Sequence, residues 1–266
     1  MAKIKVNDIL INYELNGNPK SDFTIVFVHG LSDNLNYWKI LSEKLNENYQ
    51  TLIFDLRGHG ESEKGKREIT IDCYTEDLFY LLKSLNIDKV VLIGLSLGGN
   101  IAMNFTAKHN EMVKGEIIMS SFCEFTPHLE AIFKSFEKAI KIDFLHFYDT
   151  IIPYCLCEEI LEKNRQTLET IKINASKEAD CEGILEGIKA GNTLDIKENL
   201  YKITSPTLII GGEDDELTDI EHQEEIHKNI RNSEIIFLEN TKHNLLIGRN
   251  IEKIDNMINE FLEKLE

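Results

Sequence analysis

The sequence predicts an α/β protein. It implies a mostly parallel sheet of eight strands that opens on an antiparallel hairpin, with helices on both faces and a purely helical segment inserted late. Short apolar, β-branched runs such as Thr24–Val28, Val90–Ile93 and Thr207–Ile210 read as strands buried on both faces. Amphipathic stretches of helical period alternate with them, as crossover helices between parallel strands do. From about residue 122 to residue 200 that alternation stops and no strand-like run occurs.

In chain order, Lys3–Val6 and Ile9–Leu15 alternate as two strands joined at Asn7-Asp8 in a tight hairpin. The loop Asn16–Ser21, with its glycine and proline, ends the pattern. Thr24–Val28 is the third strand, followed by His29-Gly30-Leu31 and a helix over about Tyr37–Leu45. Thr51–Phe54 is the fourth strand, running into Asp55–Ser62. Residues 70–85 form a helix with Leu78, Leu81, Leu82 and Leu85 along one face. The fifth strand, Val90–Ile93, leads through Gly94-Leu95-Ser96 into an amphipathic helix, and Gly115–Met119 is the sixth strand. Helices follow near 129–141, 143–151, 157–172 and 176–190, with Pro153 and Gly191 as breaks. Strands resume at Thr207–Ile210 and Ser233–Leu238, and a helix over about Ile251–Leu265 comes last. The expected division is a core of 1–121 and 201–266 with a helical lid over 122–200.

Composition narrows the functional classes. A chain of 266 residues suits one sizeable α/β domain with an insertion. The 29 Lys+Arg against 46 Asp+Glu give a net charge of −17, which argues against non-specific nucleic-acid binding and against an anionic membrane surface. Met1–Asp8 has no apolar signal core, and no run approaches 18 uninterrupted apolar residues, so no membrane partner is expected. The five cysteines lack paired ligand or disulfide spacing and read as free thiols in a reducing cytoplasm. No metal-binding or phosphate-cradle motif is present, so neither a metal nor a cofactor is expected.

The chemistry concentrates at strand ends. In Gly94-x-Ser96-x-Gly98 a serine sits between a buried strand and a helix, with small residues on both sides. That spacing suits a strained corner that pushes the hydroxyl outward at a helix N-terminus, where negative charge is favoured. A serine needs a neighbouring base, and a histidine base needs a carboxylate to hold its tautomer. His243 follows the last strand, and Asp214-Asp215 follow the seventh. The order Ser–Asp–His matches that of the nucleophile-elbow enzymes.

With His29-Gly30, Asp55-x-Arg57-Gly58-His59-Gly60-x-Ser62, Gly94-x-Ser96-x-Gly98, Gly212-x-x-Asp215 and Lys242-His243-Asn244 in this order, the chain resembles the α/β-hydrolase fold superfamily, specifically its lidded serine-hydrolase type. The similarity spans nearly everything outside the lid. It implies Ser96 as nucleophile, His243 as base and Asp215 as the acid, with Asp214 second and Glu124 third. It also implies an oxyanion hole made by the backbone N–H groups of Leu31 and Leu97. Glu216 stands where the family often has proline. His29, His59 and the Asp55–Ser62 loop read as structural, and the histidines at 109, 128, 146, 222 and 227 as structural or surface residues.

Six of the thirteen phenylalanines fall between 122 and 147, and the lid lacks an arginine cluster. The expected substrate is therefore a small to medium, uncharged, partly apolar carboxylic ester or lactone, cleaved through an acyl-enzyme. Thioester or carbon–carbon hydrolysis, acyl transfer or perhydrolysis by the same triad, and ligand binding without catalysis, are the alternatives.

Overall fold

The computed structural model describes residues 2–247 and 250–265. Its strands are β1 (Ala2–Val6), β2 (Ile9–Gly17), β3 (Thr24–Val28), β4 (Gln50–Phe54), β5 (Val90–Leu95), β6 (Val113–Met119), β7 (Thr207–Gly212) and β8 (Ser233–Leu238). They form one eight-stranded sheet in the order β1-β2-β4-β3-β5-β6-β7-β8. β1–β2 and β2–β4 are antiparallel and all other neighbours are parallel. The hairpin turns at Asn7, whose φ of 51° suits the left-handed turn that asparagine tolerates.

The helices of the core are α1 (Lys39–Leu45), α2 (Ile71–Ser84), α3 (Leu97–Lys108), α9 (Ile220–Asn229) and α10 (Asn250–Glu263). Alternate residues of each central strand serve opposite layers. Val26, Val28 and Leu92 pack with Leu78, Leu81, Leu82, Ile101 and Phe105 of α2 and α3. Ile25, Phe27, Val91 and Ile93 pack with Leu41 and Leu45 of α1 and Ile254 and Ile258 of α10. Because both faces are covered, these strands are continuously apolar. Each such side chain removed from water contributes roughly 1.5–3 kcal/mol.

Between β6 and β7 lie α4 (Pro127–Ile140), α5 (Phe144–Cys155), α6 (Glu158–Lys163), α7 (Arg165–Glu178) and α8 (Cys181–Asn192). These bounds differ from the expected helices in three places. The helix expected to stop at 151 continues through Pro153 to Cys155. The stretch 157–172 is two helices that break at Asn164, and the helix expected from 176 starts only at Cys181, after the Asp180 cap. A proline removes one helical donor without preventing the turn when packing and terminal partners hold it. Phe144 and Phe147 are buried, and the carbonyls at the end of α5 find donors elsewhere, as described below. The helix before β4 also begins two residues early, as a 3-10 turn over Leu35–Trp38.

α8 docks through glycines spaced four apart, on one helix face. A Cβ on Gly183 would run into the Gly58 carbonyl, and one on Gly187 would lie 2.8 Å from Leu31 Cδ1. The insertion thus sits directly on the two loops that border the strand ends.

Glu116 of β6 is fully buried, with Oε2 2.6 Å from Thr106 Oγ1 and Oε1 3.2 Å from Thr207 Oγ1. Thr106 has one hydroxyl proton and lies 2.9 Å from the Ala102 carbonyl, so a proton on Glu116 completes the set. Burial pushes Glu116 up to about 7, against the hydrogen bonds of the two threonines. A raised carboxyl pKa contributes stability that is full below the unfolded value and is lost as pH rises through about 7. Glu116→Gln is therefore expected to flatten the pH dependence of stability between pH 5 and 8, by on the order of 1 kcal/mol or more. Thermal melts of both proteins across that range check it, and parallel curves would count against a neutral Glu116.

Candidate active site

Parallel register brings the carboxyl ends of five strands to one edge of the sheet, where open α/β sheets gather their ligands. Val28 pairs with Gly94, Leu95 with Met119, Met119 with Ile210 and Gly212 with Leu238. The segments that follow carry His29–Leu31, Ser96, Asp215 and His243.

Ser96 sits between β5 and α3 with φ 53° and ψ −117°, a conformation that costs a non-glycine residue about 1–3 kcal/mol. Its N–H donates to the Met119 carbonyl at 2.9 Å, and its own carbonyl accepts from Ser121 Oγ at 2.9 Å. A Cβ on Gly98 would overlap the Val28 carbonyl, and one on Gly94 would overlap the Gly98 carbonyl. The glycine spacing is thus a packing requirement of the corner. Ser96 heads α3, whose first N–H groups have no partner within the helix.

His243 and Asp215 meet. His243 Nδ1 lies 2.9 Å from Asp215 Oδ2, and both residues are buried. An ionised carboxylate only accepts, so Nδ1 carries a proton, and in the neutral ring Nε2 keeps its lone pair. Leu217 N–H and Thr218 N–H donate to Asp215 Oδ1 at 2.9 and 3.0 Å, and Thr218 Oγ1 donates to Oδ2 at 2.9 Å. Burial pushes the Asp215 carboxyl up, but the His243 charge and these hydrogen bonds outweigh it and hold the group below its ordinary value. Asp214 is exposed. Glu124 pairs with Lys197 at 2.9 Å and lines a smaller cavity with His222, separate from the one beside Ser96. Of the three carboxylates weighed from the sequence, the fold brings Asp215 to His243.

The helical insertion holds the His243 segment. Lys242 Nζ donates to the Pro153 carbonyl at 3.0 Å, His243 N–H to Tyr154 at 3.3 Å and Asn244 N–H to Cys155 at 3.1 Å. These are the orphan carbonyls at the end of α5. Helix and histidine loop complete each other.

His29 is buried, with Nε2 accepting from Leu56 N–H at 3.0 Å and Nδ1 donating to Gly30 O at 2.8 Å. Burial, reinforced by nearby His59, lowers it to about 3, so it stays neutral and ties two loops together. Arg57 is likewise buried, with Nε and Nη2 donating to Asp77 at 2.7 and 2.9 Å and Nη2 to Asp8 at 2.8 Å.

A cavity of about 620 Å³ lies between the strand ends and the insertion. Leu31, Ser96, Leu97 and His243 line it, as do Phe133, Phe136 and Phe144 from α4 and α5. Among the described residues its wall contains no lysine or arginine and one carboxylate, Asp33. Sequence reasoning missed Asp33 and the support from Thr218. Thr218 carried a signal, since a hydroxyl or amide three residues after an aspartate commonly bonds back to it. Asp33 carried none, because only the fold turns it toward the cavity.

A strained serine after the fifth strand of this sheet, with a paired histidine and aspartate at neighbouring strand ends, defines an α/β hydrolase. The family model for serine aminopeptidase, S33, matches residues 19–250, and the chain belongs to that family. It is 27% identical to the proline iminopeptidase of Saccharolobus solfataricus, over 98% of this chain and 91% of that one. Among solved structures it is similar to MGS-M2, an α/β hydrolase from a Medee basin deep-sea metagenome library, with TM-score 0.92 and 24% identity over 98% and 97% of the two chains. It is also similar to the enol-lactonase of Burkholderia xenovorans, with TM-score 0.89 and 22% identity over 98% and 100%. These comparisons support hydrolase activity. Among the described residues no helix is long and apolar enough to cross a membrane.

Proposed function

We propose that the protein is a serine hydrolase that cleaves a small to medium, partly apolar carboxylic ester or lactone through an acyl-enzyme. The observation that carries this reading is the 2.9 Å contact of His243 Nδ1 with buried Asp215, with His243 and Ser96 lining one cavity. In the first half-reaction Ser96 Oγ attacks the scissile carbonyl as His243 Nε2 takes its proton. Asp215 stabilises the imidazolium, and the N–H groups of Leu31 and Leu97 hold the oxyanion. His243 then protonates the leaving alkoxide, and water, deprotonated by His243, releases the acid. The segment 122–200 serves as a lid whose phenylalanines receive the apolar part of the substrate.

A panel of p-nitrophenyl esters and lactones of increasing chain length, with fluorophosphonate labelling, tests this reading. A folded wild type that is neither labelled nor active on the panel sinks it. Asp215→Asn is expected to lower kcat by about 10³–10⁴-fold through the wrong histidine tautomer. Asp214→Asn should stay within about threefold of the wild type, as surface substitutions do. Equal activities in the two variants would overturn the choice of acid.

A further inference from the structure

We propose that Asp33 is a specificity-determining residue that selects substrates carrying a hydrogen-bond donor, an ammonium or hydroxyl group, beside the scissile carbonyl. This rests on Ser96 being the nucleophile.

Asp33 lies in the loop after β3, two residues beyond Leu31, and its side chain lines the cavity with Ser96 and His243. The position a Cβ would take on Gly30 is 3.5 Å from Asp33 Oδ2 and 3.6 Å from Ser96 Cβ, so the carboxyl stands beside the nucleophile. Asp33 is half-buried, whereas the fully buried aspartates are well supplied with donors. Asp55 accepts from Leu35 N–H, Asn12 Nδ2 and Glu61 N–H, Asp77 from Arg57 and Asn7, and Asp215 from four groups. Asp33 makes no side-chain hydrogen bond or ion pair with any of the described residues.

Asp33 is half-buried, and a ligand that fills the largely apolar cavity takes water from its carboxyl, so a ligand that donates to it avoids leaving it unpaired. The described wall offers no lysine or arginine to do so from within. Desolvation in the cavity lifts the Asp33 carboxyl above its ordinary range while His243 pulls it down. The carboxylate pairs with an ammonium group and accepts from a hydroxyl. An anionic group at the same place meets the like charge of the carboxylate. Asp33 thus adds a polar requirement to a pocket that is otherwise apolar.

The test compares methyl butyrate, methyl 2-hydroxybutyrate and methyl 2-aminobutyrate, followed by proton release, in the wild type, Asp33→Leu and Asp33→Asn. The wild type is expected to prefer at least one donor-bearing ester by about tenfold or more in kcat/KM, because a substrate that fills the cavity without a donor leaves this acceptor unpaired. Asp33→Leu should bring that ratio to about one. Asp33→Asn distinguishes the donors: it keeps a hydroxyl preference and loses an ammonium preference. It also carries the test if the leucine variant does not fold. A wild-type ratio near one, or a ratio unchanged in the variants, overturns the role of Asp33 alone. Absence of turnover of all three esters together with absence of fluorophosphonate labelling overturns the site reading, and this inference with it.

Discussion

Ser96→Ala is expected to lower turnover of every ester the wild type accepts by ~10⁴–10⁶-fold, the loss seen when a nucleophile that acts as a unit with its base is removed. The structure suggests the fold will tolerate the change. Alanine meets the same backbone requirement at φ 53° as serine does, and the corner is held by the Ser96 N–H, its carbonyl and the neighbouring glycines. Stability should therefore shift by less than about 1 kcal/mol. Fluorophosphonate labelling should vanish together with turnover. A variant that keeps more than a few per cent of activity would place the nucleophile elsewhere.

Arg57→Ala is expected to cost about 3–5 kcal/mol of stability, because it strands a buried charge. The guanidinium is fully enclosed and donates to both oxygens of Asp77, to Asp8 and, at 3.0 Å, to the Lys64 carbonyl. It joins the β1–β2 hairpin, the 55–65 loop and α2. Hydrogen bonds from Arg57 hold Asp8 far below the carboxylate range. Without the arginine, Asp77 stays buried and uncompensated. Urea denaturation measures the loss, and Arg57→Met combined with Asp77→Leu should recover much of it. A single-variant loss below about 1 kcal/mol would mean that water replaces the guanidinium.

The sheet was legible because its signals are local. A strand buried on both faces must be apolar at every position, and the hairpin needs a residue that tolerates positive φ, which Asn7 supplies. The serine corner was legible for the same reason, since Gly94 and Gly98 answer clashes within the corner and with the adjoining strand. The insertion was read less well. Pro153 is a local stop signal, yet α5 runs through it because its last carbonyls accept from Lys242, His243 and Asn244, nearly ninety residues away. The split at Asn164 falls in α6 and α7, which bury no residue and so follow weak local preferences rather than core packing.

Local pattern in the chain was enough to specify the strands and the serine corner, since each depends on neighbours a few residues apart. It could not choose between Asp214 and Asp215. Adjacent side chains in a turn point in different directions, and the choice depends on how Thr218 and the His243 segment meet that turn. Nor could it find Asp33. That residue matters through the cavity between the sheet edge and α4–α8, a space that exists only once segments more than a hundred residues apart have packed together. The strained corner that presents Ser96 is written locally, whereas what lies around it depends on tertiary packing.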